Sequence, residues 1–309
     1  MHEVGRRHDT ISFLSDYGTG DESAGVVRAV LRDLAPHAHV VDLTHDIAPF
    51  DVRGGSLALA RAISFVPAGV VLAIVDPAVG TARRAIAVEV ADGAGVLVGP
   101  DNGLLAPAVS MAGGAGRAVV LTNTDLHVVA SGVTSAGRDV FAPAAAHLCN
   151  GVDLAELGDS IDAEALVPGL VPLPRHDAGG VVCEVLWVDR FGNCQLNVGP
   201  DEIAELATGF GHQVRVSVGD LVGMPTVRVA SWERTFADVG VGAVGMVVDA
   251  HGLLALVLDQ RSAADELGIA AGDQVLLDAV GDDQHASPVA SPVASPVTLG
   301  PTTASRPGR

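Results

Sequence analysis

Asp76 and Arg83 stand seven residues apart in Val75-Asp76-Pro77-Ala78-Val79-Gly80-Thr81-Ala82-Arg83-Arg84. A guanidinium beside a carboxylate keeps it ionised and able to accept a hydrogen bond. The segment reads as the lip of an active site. Residues 70–75 and 85–90 are apolar runs of strand length, so the segment between them must redirect the chain. Asp76 then sits at the carboxyl end of a buried strand, the edge where open α/β sheets bind ligands. The plainer alternative is an Asp-Pro turn. Arg84, on the opposite strand face, reads as a surface charge.

Three more polar loops follow apolar runs. Residues 10–14 lead into Ser15-Asp16-Tyr17-Gly18-Thr19-Gly20-Asp21, residues 40–43 into Thr44-His45-Asp46-Ile47-Ala48-Pro49-Phe50-Asp51-Val52, and residues 96–99 into Pro100-Asp101-Asn102-Gly103-Leu104-Leu105. With helical stretches at 24–34 and 54–63, this predicts a parallel sheet covered by helices, its loops converging on one crevice. Asp16 can accept hydrogen bonds from both hydroxyls of a ribose, or else close an Asx-turn. Asp21, just before a helix, reads equally as a cap. No G-x-G-x-x-G follows a strand and no G-K-S/T loop occurs, so phosphate cradling is not supported, whereas a nucleoside without phosphate is consistent. Phe50 and Phe236, two of seven phenylalanines, lie in loops, where a flat face suits an adenine or ribose; plain packing is the alternative.

The 309 residues, 49% of them hydrophobic, can bury one sizeable core and a smaller one. A net charge of -19 would repel nucleic acid and favours a small or cationic ligand. The three cysteines, Cys149, Cys183 and Cys194, form no C-x-x-C pair, so neither a disulfide framework nor a zinc site is indicated. No His/Asp/Glu cluster has ligand spacing; His8, His37 and His39 are scattered, and no metal is expected. Neither a signal-peptide core nor an apolar run of about 18 residues is present, which predicts a cytoplasmic protein that spans no membrane. The expected organisation is an extension over 1–9, an α/β nucleoside-binding domain over 10–167, a proline-rich linker over 168–178, a β domain over 179–280, and a disordered Ala-Ser-Pro-Val tail over 281–309. The β domain is read from short runs at 181–188, 214–218, 244–248, 253–258 and 274–277, separated by turn signals.

The loop motifs above, with Gly137-Arg138-Asp139-Val140-Phe141-Ala142-Pro143, Phe191-Gly192-Asn193 and Thr235-Phe236-Ala237-Asp238, resemble in order the S-adenosylmethionine hydroxide adenosyltransferase family over residues 11–277. Fluorinating and chlorinating enzymes belong to the same superfamily. The resemblance implies a Rossmann-like N-terminal α/β domain with a mostly parallel sheet, a small C-terminal β-barrel, and a homotrimer holding the nucleoside between one subunit's N-domain and its neighbour's C-domain. It implies S-adenosylmethionine as substrate, with no cofactor, and in-line attack of water or hydroxide on the ribose 5′ carbon to give adenosine and methionine. Asp76 and Arg83 match the catalytic positions and Asp16 the ribose site. Substrate contacts are implied for Phe50, Phe236, Phe191, Asn193 and Asp189, the last toward the methionine amino group, and for backbone groups of Leu258.

Two departures stand out. The family's hydrolases read Thr-Phe-His-Gly-Arg-Asp where this chain has Thr134-Ser135-Ala136-Gly137-Arg138-Asp139, so Ala136 offers no base; losing a general base costs roughly 10²–10⁴-fold. His127 and His147 do not match that position and read as structural or surface residues. Ala250 and Ala255 replace polar groups, the first beside the methionine carboxylate, leaving His251 to compensate. The departures keep open a catalytically impaired adenosine- or S-adenosylmethionine-binding protein. Halogenation is disfavoured, because the carboxylate of Asp76 would repel a halide.

Overall fold

The computed structural model describes residues 7–177 and 179–280. The tail over 281–309 and most of the extension over 1–9 lie outside the described residues.

The first half of the chain runs β1 (Thr10–Ser15), α1 (Ser23–Leu34), β2 (His39–Thr44), α2 (Val52–Ile63), β3 (Val70–Ile74), β4 (Ala85–Val90), β5 (Gly95–Pro100), α3 (Ala106–Met111), β6 (Ala115–Val120), α4 (Ala142–Cys149) and β7 (Asp159–Ile161). Its strands form one sheet in the order β2-β1-β3-β5-β4-β6-β7. Pairing is parallel through the core strands β2, β1, β3 and β5 and antiparallel from β5 to β7. β3 explains why the parallel core reads as unbroken apolar sequence. Val70, Leu72 and Ile74 point into the layer under α1 and α4, and Val71, Ala73 and Val75 into the layer under α2 and α3. Both faces are therefore buried.

β3 and β4 do not pair; β5 lies between them, parallel to β3 and antiparallel to β4. The loop over 75–84 thus spans one strand, and it leaves Asp76 after β3 and Arg83 before β4 on the same sheet edge. At that edge β1 connects through α1 to β2 on one side, while β2 connects through α2 to β3 on the other. The loops after β1 and β3 diverge, opening the crevice where α/β sheets receive ligands.

The second half comprises β8 (Arg175–Asp177), β9 (Gly180–Val188), β10 (Cys194–Leu196), β11 (Gln213–Val218), β12 (Thr226–Trp232), β13 (Val244–Val248), β14 (Leu254–Val257), α5 (Ala263–Leu267) and β15 (Gln274–Ala279). Pairing runs β10-β14-β13-β12-β11-β15-β9 and returns from β9 to β10, closing a seven-stranded barrel with β8 added outside β9. Its interior holds Val185, Leu196, Val216, Met246, Leu256 and Leu277. The barrel meets α2 through an Arg53–Glu184 ion pair and through Arg61, whose guanidinium lies 4.2 Å from the centre of the Trp187 ring. The expected α/β class with a C-terminal barrel is what the chain adopts.

Candidate active site

Asp76 lines the crevice and pairs with Arg83. Arg83 donates from Nε to Asp76 Oδ1 at 3.0 Å and from Nη2 to Asp76 Oδ2, a fork in which each carboxylate oxygen keeps capacity to accept. Its Nη1 donates to the Arg84 carbonyl at 2.8 Å, and its guanidinium lies 5.3 Å from the centre of the buried Phe141 ring. These contacts fix the plane of the carboxylate. The side chains are only 5% and 10% exposed for Asp76 and Arg83, so the pair is largely shielded from bulk water.

The loop after β1 is held by its neighbours. Ser15 Oγ and His45 Nδ1 are 2.8 Å apart, and His45 Nε2 lies 3.1 Å from Asp42 Oδ1. This has the composition of a nucleophilic triad, yet Ser15 is fully buried, so the contacts tie the loops after β1 and β2 together. Ser15 Oγ accepts from Tyr17 N at 3.3 Å, and Gly18 N donates to the His45 carbonyl at 2.7 Å. Gly18 makes this turn with a φ of 69°. Asp16 Oδ2 accepts from Phe50 N at 3.0 Å, while Oδ1 has no hydrogen-bond partner among the described residues. Phe50 itself holds a φ of 68°, which presents its ring outward, 72% exposed.

Asp16, Tyr17, Phe50, Asp76, Thr134 and Ala136 line a common cleft of about 290 Å³. That volume lies at the lower end for small-molecule sites. A larger apolar groove of about 770 Å³ runs between α2, α3 and the barrel past Arg61, Met111 and His251. No carboxylate is among the residues that line it.

Asp21 accepts from Ser23 N at 2.8 Å and so turns the chain into α1. Arg84 departs from the expected free surface charge. It pairs with the buried Asp101, donating from Nε at 2.8 Å, and also donates to the Ala165 carbonyl at 2.6 Å. Asp101 Oδ1 in turn accepts from Val167 N at 2.8 Å, so Arg84 helps anchor the segment leading toward the barrel. His127 and His147 do not line the cleft, and burial lowers the pKa of both.

The other expected contact residues lie on the barrel and do not line this cleft. Asp189 builds its own turn: Oδ1 accepts from Phe191 N at 2.8 Å and from Asn193 N at 2.9 Å, and Oδ2 accepts from the Asn193 amide at 2.8 Å. Gly192 is required there, since its φ is 83° and a Cβ would stand 2.6 Å from Ser262 Cα. Phe191 projects from the turn, 77% exposed. Phe236 is half-exposed on a short helical turn that Asp238 caps by accepting from Thr235 N at 3.1 Å. Leu258 is buried and bridged to Arg261. Ala255 sits in a small core with Val239, Val247 and Val257, where a carboxylate would be desolvated; Ala250 is exposed in the preceding turn. Among the described residues no group of three His, Cys, Asp or Glu side chains is arranged to hold a metal ion, and no helix is long and apolar enough to cross a membrane.

Profiles of the SAM hydroxide adenosyltransferase N-terminal and C-terminal domains match residues 11–158 and 183–276. The chain belongs to the SAM hydroxide adenosyltransferase family. Within it, the chain is 44% identical to the (R)-S-adenosyl-L-methionine hydrolase of Salinispora tropica, with 87% of this chain and 97% of that protein aligned. A fluorinase from an Actinoplanes species is more distant, at 27% identity over 85% of this chain and 95% of the fluorinase. Among solved structures, an uncharacterized conserved protein from Thermotoga maritima superposes with a TM-score of 0.78 at 32% identity, covering 87% of this chain and 99% of that one. The family's two profiles fall on the α/β half and on the barrel, in that order.

Proposed function

We propose that this chain hydrolyses S-adenosylmethionine to adenosine and methionine. The observation that carries this reading is the Asp76–Arg83 fork beside a free oxygen of Asp16 in one cleft. Asp16 accepts from the ribose hydroxyls, which places the 5′ carbon over Asp76. A water held by Asp76 attacks in line: the C5′–O bond forms, the C5′–S bond breaks, and its electron pair passes to sulfur. Methionine leaves as a neutral thioether, so no general acid is required, and the proton lost from the water passes to Asp76. The enzyme's contribution is orientation and exclusion of bulk water.

Halogenation is less favoured, because a halide about 4 Å from a carboxylate is repelled by about 4 kcal/mol at a protein surface. A second reading, binding without turnover, draws on the methyl group that Ala136 presents to the cleft. For assembly, the exposed Phe191 turn and Phe236, neither of them lining the Asp76 cleft, support a homotrimer in which a neighbour's barrel completes each site. Three free, buried cysteines fit a reducing cytoplasm.

Purified protein incubated with S-adenosylmethionine, with and without chloride, is expected to yield adenosine by chromatography, and Asp76→Ala to abolish the yield. Tight ligand binding without product supports the binding protein; 5′-chloroadenosine supports the halogenase.

A further inference from the structure

We propose that the Tyr17 hydroxyl is the second hydrogen-bonding group for the attacking water, acting opposite Asp76 in the notch left by Ala136 and Gly137. The inference rests on the hydrolytic reading above and names a residue for that site.

Gly137 begins a π-helical turn (Gly137–Phe141) that faces the loop after β1. Its backbone does not need glycine, for its φ is not in the left-handed region. Space is what excludes a side chain: a Cβ on Gly137 would stand 2.1 Å from the Tyr17 hydroxyl oxygen and 3.1 Å from Cζ. The phenol therefore ends against the small pair Ala136–Gly137, inside the cleft that also contains Asp16 and Asp76. Tyr17 N donates to Ser15 Oγ and the following Gly18 N to the His45 carbonyl, so the turn that carries the ring is held by the Ser15–His45 clamp.

Burial, and then the charges of Asp16 and Asp76, raise the Tyr17 pKa well above its ordinary value. The hydroxyl stays protonated and is no base. It is a donor and an acceptor at once. Directed at a carboxylate, its proton leaves the oxygen lone pairs free to accept one water proton while Asp76 accepts the other. The lone pair of the water then points at the 5′ carbon. When the C5′–O bond forms and the C5′–S bond breaks, the departing proton goes to Asp76 and Tyr17 remains a phenol throughout. A histidine at position 136 would reach into this same space, and Tyr17 supplies the hydrogen bond that Ala136 cannot.

Tyr17→Phe keeps the ring and deletes only the hydroxyl. It is expected to lower kcat by about 10–100-fold, the scale of a misoriented reactant, while KM for S-adenosylmethionine and Kd for adenosine change by less than about twofold. Gly137→Ala, which forces the hydroxyl aside, is expected to lower kcat in the same way, with circular dichroism confirming that it folds. The pH profile of kcat keeps its shape in Tyr17→Phe. An unchanged kcat would reduce the phenol to packing, a parallel rise in KM and Kd would make it a nucleoside contact, and loss of an alkaline limb would make it the base; each overturns the proposal. Wild-type protein run alongside separates the two layers: if it forms no adenosine, the hydrolytic reading fails and the role of Tyr17 with it, whereas an active wild type with an equally active Tyr17→Phe removes the role alone.

Discussion

The Asp76–Arg83 fork depends on shape as much as on charge. Nε and Nη2 each meet one carboxylate oxygen, and the third nitrogen is anchored on the Arg84 carbonyl. A lysine at 83 would keep the positive charge and could reach only one oxygen at a time, so the carboxylate plane would be free to rotate. Arg83→Lys is accordingly expected to lower kcat by about 10–100-fold, the range for loss of reactant orientation, and to leave the Kd for adenosine nearly unchanged. Steady-state adenosine formation and titration calorimetry check the two halves of that expectation. A Kd that weakens as much as kcat falls would instead place Arg83 on the substrate.

At the scale of elements, strands buried on both faces were the most legible. β3 and β4 coincide with the runs at 70–75 and 85–90, and each continuous run read in the second half overlaps a barrel strand. β12 left no such trace because its first four residues are exposed, and β7 and β10 are three residues long, too short for a pattern. Of the candidate site, Asp16, Phe50, Asp76 and Arg83 could be picked out as loop residues after apolar runs, and the first three line one cleft. The placement of Tyr17 against Gly137 and the Ser15–His45–Asp42 clamp could not be picked out, since they come from contacts between loops that only strand order brings together. The same holds for Arg117 on β6. It donates from Nε to Glu89 of β4 at 2.9 Å and from Nη1 to Asp153 at 3.0 Å, in front of a helical turn. Hydrogen bonds from Arg117 hold both carboxylates below their ordinary range. The unfolded chain therefore binds more protons than the folded one as the pH drops. The stabilisation is complete above the unfolded carboxylate range, roughly pH 4, and vanishes as pH falls through the lowered folded values. Because Arg117 is half-exposed, each pair contributes about 1 kcal/mol or less. Arg117→Met is expected to lower the urea midpoint at neutral pH, the difference from wild type shrinking as the pH falls below the ordinary carboxylate range.

At the scale of the whole molecule, the residues expected at the site fall into two groups that do not line a common cleft in one chain. Asp16, Phe50 and Asp76 line the α/β cleft, whereas Phe191 extends from the barrel, 77% exposed and outside that cleft. In our reading, the exposed Phe191 on the tightly built Asp189–Asn193 turn meets another surface. In the proposed trimer that surface is the neighbour's cleft, and activity becomes a property of subunit pairs. Complementation tests this directly. Asp76→Asn disables the cleft of its own subunit, and Phe191→Asp, on an exposed position that leaves the barrel core untouched, disables the cleft of the next. Each variant alone is expected to be nearly inactive. Reassembled at random from an equal mixture, a site works when its cleft comes from the Phe191→Asp chain and its turn from the Asp76→Asn chain, which restores about one quarter of wild-type activity per site in a closed ring. Light scattering on the same samples fixes the stoichiometry. No recovery in a mixture shown to exchange subunits would mean that each chain completes its own site, through a barrel position different from the one it occupies against α2.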